Sequence, residues 1–558
     1  MVKRIISLIH REYTNVHQAA FLLGIFAFIS QILGLFRDRM LAHSIGLSSS
    51  LDIYYAAFRI PDFIYVSIAS LASITVLIPF LIERNEKSHS EARKFMSDVF
   101  TVFLCAMVLA SILLFIFMPT LTALTAPGFH GEEFTRLVML SRLLLLSPIL
   151  LGLSNLFGAA TQFYKKFFLF ALSPILYNVG ILVGVVFLYP RWGIMGLGAG
   201  VIIGALAHAA MNIPVITRHG LLPKFSTQID WKSIRDLIVI SLPRTLGLAM
   251  NNIALIIITG IASIIGVGAI SVFRLSYNLE SVPLAIVGMS FSVAAFPTLA
   301  HFFSNGKKEE FVTHFKIAAK QIIFWSLPVT VLFIVLRAQI VRVILGSGKF
   351  TWSDTKLTAA ALALFAISAL AQGMVMLFAR GFFAAGKTKK PVILNLISSA
   401  LIVVLAYGLL IWFNHSLAFR TFFEHVLRVD GMTGTAVLIL PLAYSIGTTL
   451  NFVLHWIHFK HDFVGPKPFI RKTFVQSLIG SLAIGLSAYE ALNIFSSVFD
   501  LNTFSGIFLQ GLVAGVIGII FGFVVLTLLG SEELRDIRRT LRTKFWRTSF
   551  IGAEQTDL

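Results

Sequence analysis

Apolar stretches of about 20 residues, the helix length that crosses a ~30 Å hydrocarbon core, recur in this sequence from near residue 18 to near residue 530. A chain patterned this way must put most of itself in lipid. Hydrophobic residues make up 57% and charged residues 13%, and the mean hydropathy is +0.87, which excludes a soluble domain. Runs such as VFLCAMVLASILLFIFM, residues 102–118, are continuously apolar. A membrane barrel would instead need strands of about ten residues in alternation. The expected fold is therefore an all-α integral membrane protein.

Breaks at charged, proline and glycine residues place spans near 18–42, 52–82, 97–119, 136–162, 168–189 and 193–216, then near 236–263, 268–303, 311–337, 355–386, 390–413 and 432–458. Two more lie near 470–495 and 505–530, for a total of about 14 transmembrane helices. The expected organisation is an interfacial helix over 1–17, a first lobe over 18–217, a polar linker over 218–235, a second lobe over 236–460, two further spans within 461–530 and a basic tail over 531–558. The net charge of +19 would suggest a nucleic-acid partner in a soluble protein. Here the basic residues cluster in alternate loops, among them Lys165 and Lys166, Lys307 and Lys308, and Lys387, Lys389 and Lys390, so the charge is read as topology and no nucleic acid is expected. Both termini are expected in the cytoplasm. The loop carrying Arg337, Arg342, Lys349 and Lys356 is the exception to this scheme. The single cysteine, Cys105, permits no intramolecular disulfide and is expected to be a buried, inert thiol.

The two six-span sets read as pseudo-symmetric copies. QFYKKFFLFALSPILYNVGILVG carries Pro174 and Asn178, and GFFAAGKTKKPVILNLISSALIV carries Pro391 and Asn395 at the same spacing. Leu33-Gly34 and Leu246-Gly247 recur at a similar offset. Repeats of one orientation suit alternating access about a midplane cavity; a chance match of short apolar segments is the competing reading.

Ionisable side chains inside a span cost at least about 2.5 kcal/mol each and therefore tend to line a cavity. Arg37, Asp38 and Arg39 end the first span; Asp52, Arg59 and Asp62 open the second; Arg244, Arg274 and Glu280 lie in the seventh and eighth. Arg142 and Arg380, near span ends, are read as snorkelling to headgroups. Guanidinium groups make paired hydrogen bonds to phosphate or carboxylate oxygens and stay charged when partly desolvated, so a pyrophosphate would suit Arg37, Arg59, Arg244 and Arg274. Asp38 and Asp52 are assigned to holding those arginines, with proton coupling through Asp52 or Glu280 as a weaker reading.

GFFAAGKT, Gly381 to Thr388, matches the phosphate-loop pattern letter for letter, but a span precedes it and a basic loop with Pro391 follows. It is read as a cytoplasmic turn. GIMGLGAGVIIG, residues 193–204, lacks the dinucleotide context and reads as close helix packing. With no ATPase or catalytic motif, the chain is expected to be a secondary transporter and not an enzyme. No cofactor or metal is expected, and coupling is to membrane potential or an ion gradient.

SQILGLFRDRMLAHSIGLSSSLDIYYAAFRIPDF, residues 30–63, resembles the signature of the MurJ (MviN) lipid II flippases, as do APGF at 126–129, LSPILYN, SLPRTLGLAMNN and LFARGFFAAGKTKKPV. The resemblance extends through nearly all of the twelve-span core. It implies a fold of the MOP exporter superfamily: two six-helix lobes around a cationic cavity, with the last two helices forming a groove for a polyprenyl tail. It implies a cargo of undecaprenyl-pyrophosphate-linked peptidoglycan precursor moved from the cytoplasmic to the outer leaflet of the bacterial inner membrane. Lipid II, membrane lipids and cell-wall synthesis proteins are the partners it implies. By position it assigns Arg37, Asp38 and Asp52 to the cavity. Gln31, Tyr65 and Asn278 stand where that pattern usually has arginine, and Arg59, Arg244 and Arg274 are candidates to replace the charge. The alternatives are a MOP-type exporter of another polyprenyl-linked glycan or of a drug, and a non-transporting membrane scaffold.

Overall fold

A computed structural model describes residues 16–69, 74–465, 470–536 and 539; at 243–244, 246–248 and 251, among others, it describes the backbone alone. The expected interfacial helix over 1–17 and the basic tail over 531–558 lie mostly outside these residues. The described chain is helical and contains no strand. The helices are α1 (Val16–Ile45), α2 (Ser49–Ala57), α3 (Arg59–Ile64), α4 (Ile74–Lys87), α5 (His89–Thr125), α6 (Gly131–Leu144), α7 (Leu146–Phe163), α8 (Phe167–Val183) and α9 (Ile194–Ala210). There follow α10 (Trp231–Ile265), α11 (Ala269–Pro283), α12 (Ser290–Ser304), α13 (Lys308–Val335), α14 (Trp352–Ala366), α15 (Ala369–Ala384), α16 (Lys389–His415), α17 (Ile439–Phe459), α18 (Arg471–Phe495) and α19 (Phe504–Leu528).

Among the described residues, 11 stretches are long and apolar enough to cross a membrane, and 12 if α14 and α15, which meet at 42°, form one bent span. The two other expected spans, near 52–82 and 236–263, fall where residues 70–73 and several side chains of α10 lie outside the described residues, and α10 itself runs unbroken over 35 residues. Within the predicted span over 52–82 the described residues form α2, a turn at Phe58, α3, a π-helical segment Tyr65–Ala69 and α4. Pro61 contributes to the turn, because it has no N–H to donate back to Ala57 and so interrupts the helical ladder at that point. Pro283 likewise ends α11, and a π-helix, Leu284–Met289, follows it.

Contacts divide the chain into two units, residues 1–279, 344–361 and 388–447 in one, and 280–343, 362–387 and 448–558 in the other. In the first, Ile60, Leu77, Phe95, Met96, Phe103 and Leu156 form part of an apolar core. Ser88 caps α5 by accepting the Glu91 N–H at 3.2 Å, the local signature of a helix start. The linker after α9 is stitched to the third and fourth turns of α5: the Lys224 N–H donates to Ser97 Oγ at 3.1 Å, the Ser226 N–H to Thr101 Oγ1 at 2.9 Å and the Asp230 N–H to Asp98 Oδ2 at 3.1 Å. Asp230 caps α10, and its bonds from Ser233, with Arg84 close by, hold its carboxyl below the usual range.

Glycines let α8 and α9 approach closely. A Cβ added at Gly200 would come 2.4 Å from Gly184 Cα, and one at Gly180 would come 2.2 Å from Gly204 Cα. In lipid, where helix association gains little from burying apolar surface, such backbone proximity supplies the packing. Cys105 is exposed on α5 together with Leu109 and Ile112, contrary to the expected buried thiol. An apolar run in a membrane helix turns one face to lipid, so apolar neighbours in sequence do not imply a protein interior.

The second unit is held by aromatic packing. Phe311, Phe315, Phe378, Phe382 and Phe459 are all nearly inaccessible, and the rings of Phe315 and Phe459 stack at 4.0 Å. Beyond α19, Glu532 receives Lys320 and Lys472, each at 3.1 Å, and their bonds lower its carboxyl pKa.

Substituting Gly200 by Ile should force α8 and α9 apart. Thermal unfolding in detergent should register a loss of about 1–3 kcal/mol, and an unchanged midpoint would contradict the packing described.

Candidate functional site

The site is built around Arg37, about two turns before the end of α1. Its Nε and Nη2 donate to Asp38 Oδ1 at 3.0 and 2.8 Å, and its Nη1 donates to Asn178 Oδ1 at 3.1 Å. The Asn178 amide is turned so that it can serve Arg37: its Nδ2 donates to the Pro174 carbonyl at 3.2 Å and to Ser30 Oγ at 3.3 Å, which leaves its oxygen for the guanidinium. The second Asp38 oxygen accepts from Asn278 Nδ2 at 2.9 Å. A chain of four polar side chains, Asn178, Arg37, Asp38 and Asn278, thus joins α8, α1 and α11. Asp38 is 3% exposed, so its charge is offset chiefly by Arg37.

Two of them, Arg37 and Asn278, line a cavity of about 180 Å³ together with Arg59, Asp62, Tyr177 and Arg274, and Tyr54, Tyr55, Phe58 and Ile181 complete the wall. Three guanidinium groups therefore face one carboxylate in the lining. Arg59 is 5% exposed, and its Nε has no hydrogen-bond partner among the described residues. Arg274 lies 5.9 Å from the centroid of the Tyr277 ring. A concave, low-dielectric chamber with surplus positive charge attracts anions, and the planar fork of arginine suits paired oxygens in particular.

Arg37, Asp38, Arg59, Arg274 and Asn278 are brought together as the sequence suggested. Other candidates stand elsewhere. Asp52 is not part of the cavity wall: its Oδ2 accepts the Gly268 N–H at 2.6 Å, and its Oδ1 accepts the Ser271 N–H at 2.8 Å and Ser271 Oγ at 2.6 Å. It caps the N-terminus of α11 from α2, so of these two carboxylates it is Asp38 that pairs with an arginine. Glu280, in the other contact unit, accepts from Gln372 Nε2 at 2.9 Å and does not line the cavity. Arg244 falls on α10 at a position whose side chain lies outside the described residues. Tyr65, one of the positions lacking the usual arginine, accepts from Asn155 Nδ2 at 2.9 Å.

Sequence reasoning did not assign Asp62, Tyr54, Tyr177 or Asn178 to the site. The Pro174 and Asn178 pair was visible as a repeated landmark, and that was the available signal for Asn178. Arg142 does not simply snorkel: its Nε donates to the Phe115 carbonyl at 3.0 Å and its guanidinium lies over the Phe115 ring. Arg380 Nε donates to Ser292 Oγ at 3.1 Å. Lys387, the lysine of the phosphate-loop-like string, is paired with Asp462 Oδ2 at 2.7 Å, and Gly381 to Ala384 lie within α15. A helical backbone cannot wrap a phosphate in the manner that motif requires.

If Asp52 acts as a cap, Asp52→Ala should lower thermal stability in detergent by about 0.5–2 kcal/mol while Asp52→Ser retains part of it. Unchanged stability in Asp52→Ala would refute the capping role.

The family model described as lipid II flippase MurJ matches residues 41–514. A probable lipid II flippase MurJ of Rickettsia prowazekii is 27% identical over 478 residues, 85% of this chain and 90% of that protein. The lipid II flippase MurJ of Burkholderia cenocepacia is 24% identical over 490 residues, 86% of this chain and 91% of the other. Among solved structures, a lipid II flippase MurJ in an inward closed conformation aligns with a TM-score of 0.72 at 23% identity, covering 93% of this chain and all of that one. An inward-facing multidrug resistance MATE family transporter of the MOP superfamily aligns with a TM-score of 0.63 at 15% identity, covering 80% of this chain and 98% of its own. These structural likenesses establish the fold, and the family match spans most of the sequence. The protein is a multi-pass inner-membrane protein and belongs to the lipid II flippase MurJ family.

Proposed function

We propose that this protein carries lipid II, the polyprenyl-diphosphate-linked peptidoglycan precursor, from the cytoplasmic to the outer leaflet by alternating access, and that the cavity at Arg37, Arg59 and Arg274 receives the diphosphate. The observation that carries this reading is Arg59, a guanidinium 5% exposed whose Nε finds no partner, in a cavity whose lining has three arginines and one carboxylate. An anion supplied by cargo would satisfy it. A cationic drug would meet repulsion there. The names of the family and of its relatives supply the identity of that anion's carrier.

In this reading Asp38 and Asn178 hold Arg37 with its remaining N–H groups available to phosphate oxygens, and Asn278 steadies Asp38. Placing the basic loops in the cytoplasm puts both termini there. The sign of the membrane potential suits the cargo. Moving one negative charge outward across an inside-negative potential releases about 2.3 kcal/mol per 100 mV, and a diphosphate diester carries about two such charges. The reaction then needs no hydrolysis of a nucleotide, and cell-wall synthesis proteins on the outer face would draw off the product.

The test is complementation of flippase-depleted cells, with outer-leaflet lipid II as the readout and membrane insertion of each variant checked. Arg59→Ala and Arg274→Ala should each lower translocation about ten- to a hundredfold, the loss of one charge-assisted contact. Lys389→Ala, on the exposed face beyond the cavity, should restore growth. Full activity in both cavity variants would overturn the reading.

A further inference from the structure

Between α16 and α17 the chain forms a short helix, Leu417–Leu427, that belongs to neither span. Ser416 Oγ caps it by accepting the Phe419 N–H at 3.2 Å. One side packs inward: Phe423, Glu424 and Leu427 are buried, Phe423 meets the Phe413 ring, and Glu424 accepts from Arg420 Nε at 3.0 Å and Thr435 Oγ1 at 2.5 Å. The uncovered side is apolar in part: around the helix Phe422 and Val426 lie next to half-buried Phe419, while Thr421 and His425 stand between them and Leu417. Leu417 is 74% exposed, Phe422 67% and Val426 58%.

The neighbouring surface indicates what covers that face. α16 exposes Val404, Tyr407, Ile411 and Trp412 along its outer side, the strip an apolar span offers to acyl chains. The strip runs directly into the short helix, because Trp412 stacks on Phe419 at 4.0 Å with the rings 3° from parallel. From Lys390 to Trp412 the rise of an α-helix gives about 33 Å, close to the ~30 Å hydrocarbon thickness. The lysines at the start of α16 and the tryptophan near its end therefore fall at opposite interfaces, where each residue type is favoured.

We propose that Leu417–Leu427 is an in-plane helix whose apolar strip, Phe422 and Val426 beside Phe419, lies in the lipid interface at the end of α16 opposite Lys389 and Lys390. The partner is the bilayer surface, and the helix immerses shallowly, by about 5–10 Å, with Arg428 and Asp430 at its polar margin. This inference requires that the chain span a membrane and is independent of the cargo.

The test uses the full chain with Cys105→Ser, so that a cysteine at Phe422→Cys or Val426→Cys can carry an environment-sensitive fluorophore after reconstitution into phosphatidylethanolamine and phosphatidylglycerol vesicles. A lipid nitroxide at shallow depth should remove roughly half of the emission at either site, and aqueous iodide should quench it at least about fivefold less than the same label at Asp430→Cys. Iodide quenching equal to that at Asp430→Cys would overturn the proposal. So would protection from both quenchers, which would mean that protein covers the face.

Discussion

Burying a guanidinium without a matching anion costs several kcal/mol in a low-dielectric interior, and the geometry around the cavity follows from how that cost is distributed. Arg37 is offset: Asp38 takes two of its N–H groups and Asn178 a third. Arg59 is not, since its Nε ends without a partner in a chamber where Asp62 is the one carboxylate of the lining. In the proposed function that imbalance is what an anionic cargo relieves on entering the cavity. Binding energy at such a site comes largely from removing a penalty already present in the protein.

The helices that bear these groups are fixed by devices of low chemical cost. α8 presents Tyr177 to the cavity and Asn178 to Arg37, while Gly180 and, just past its end, Gly184 bring the backbone against Gly204 and Gly200 of α9, so the asparagine that orients Arg37 sits on a helix with little lateral freedom. Asp52 pins the start of α11, the helix of Arg274 and Asn278, by satisfying N–H groups that a helix terminus otherwise leaves open. A carboxylate can thus serve an anion site indirectly, by fixing the helix that carries the guanidinium.

Much of this was legible in the sequence. Apolar runs of spanning length revealed the all-helical membrane fold, and the rarity of arginine within spans marked Arg37, Arg59 and Arg274 because such placement is too costly to occur without reason. Asp52 was misassigned by the same rule: its partners, the Gly268 and Ser271 N–H groups, lie more than 200 positions away in the chain, and backbone donors leave no trace in composition. Asn278 was read as a position lacking charge, and it serves as the donor to Asp38. The turn at Phe58 inside the span over 52–82 was hidden because hydropathy does not register whether a helix stays continuous. Tyr54 and Tyr177 were passed over because aromatic residues are common in spans, and only folding distinguishes those that wall a chamber.

The central claim is that the arginines hold an uncompensated charge that a diphosphate satisfies. Calorimetric titration of the purified protein with inorganic pyrophosphate, compared between wild type and Arg59→Gln at low ionic strength, addresses it most directly. Saturable binding by wild type, weakened about tenfold or more in the variant and falling with added salt, is the predicted result. Absence of binding to the wild type, or equal affinity in the two proteins, would contradict the account.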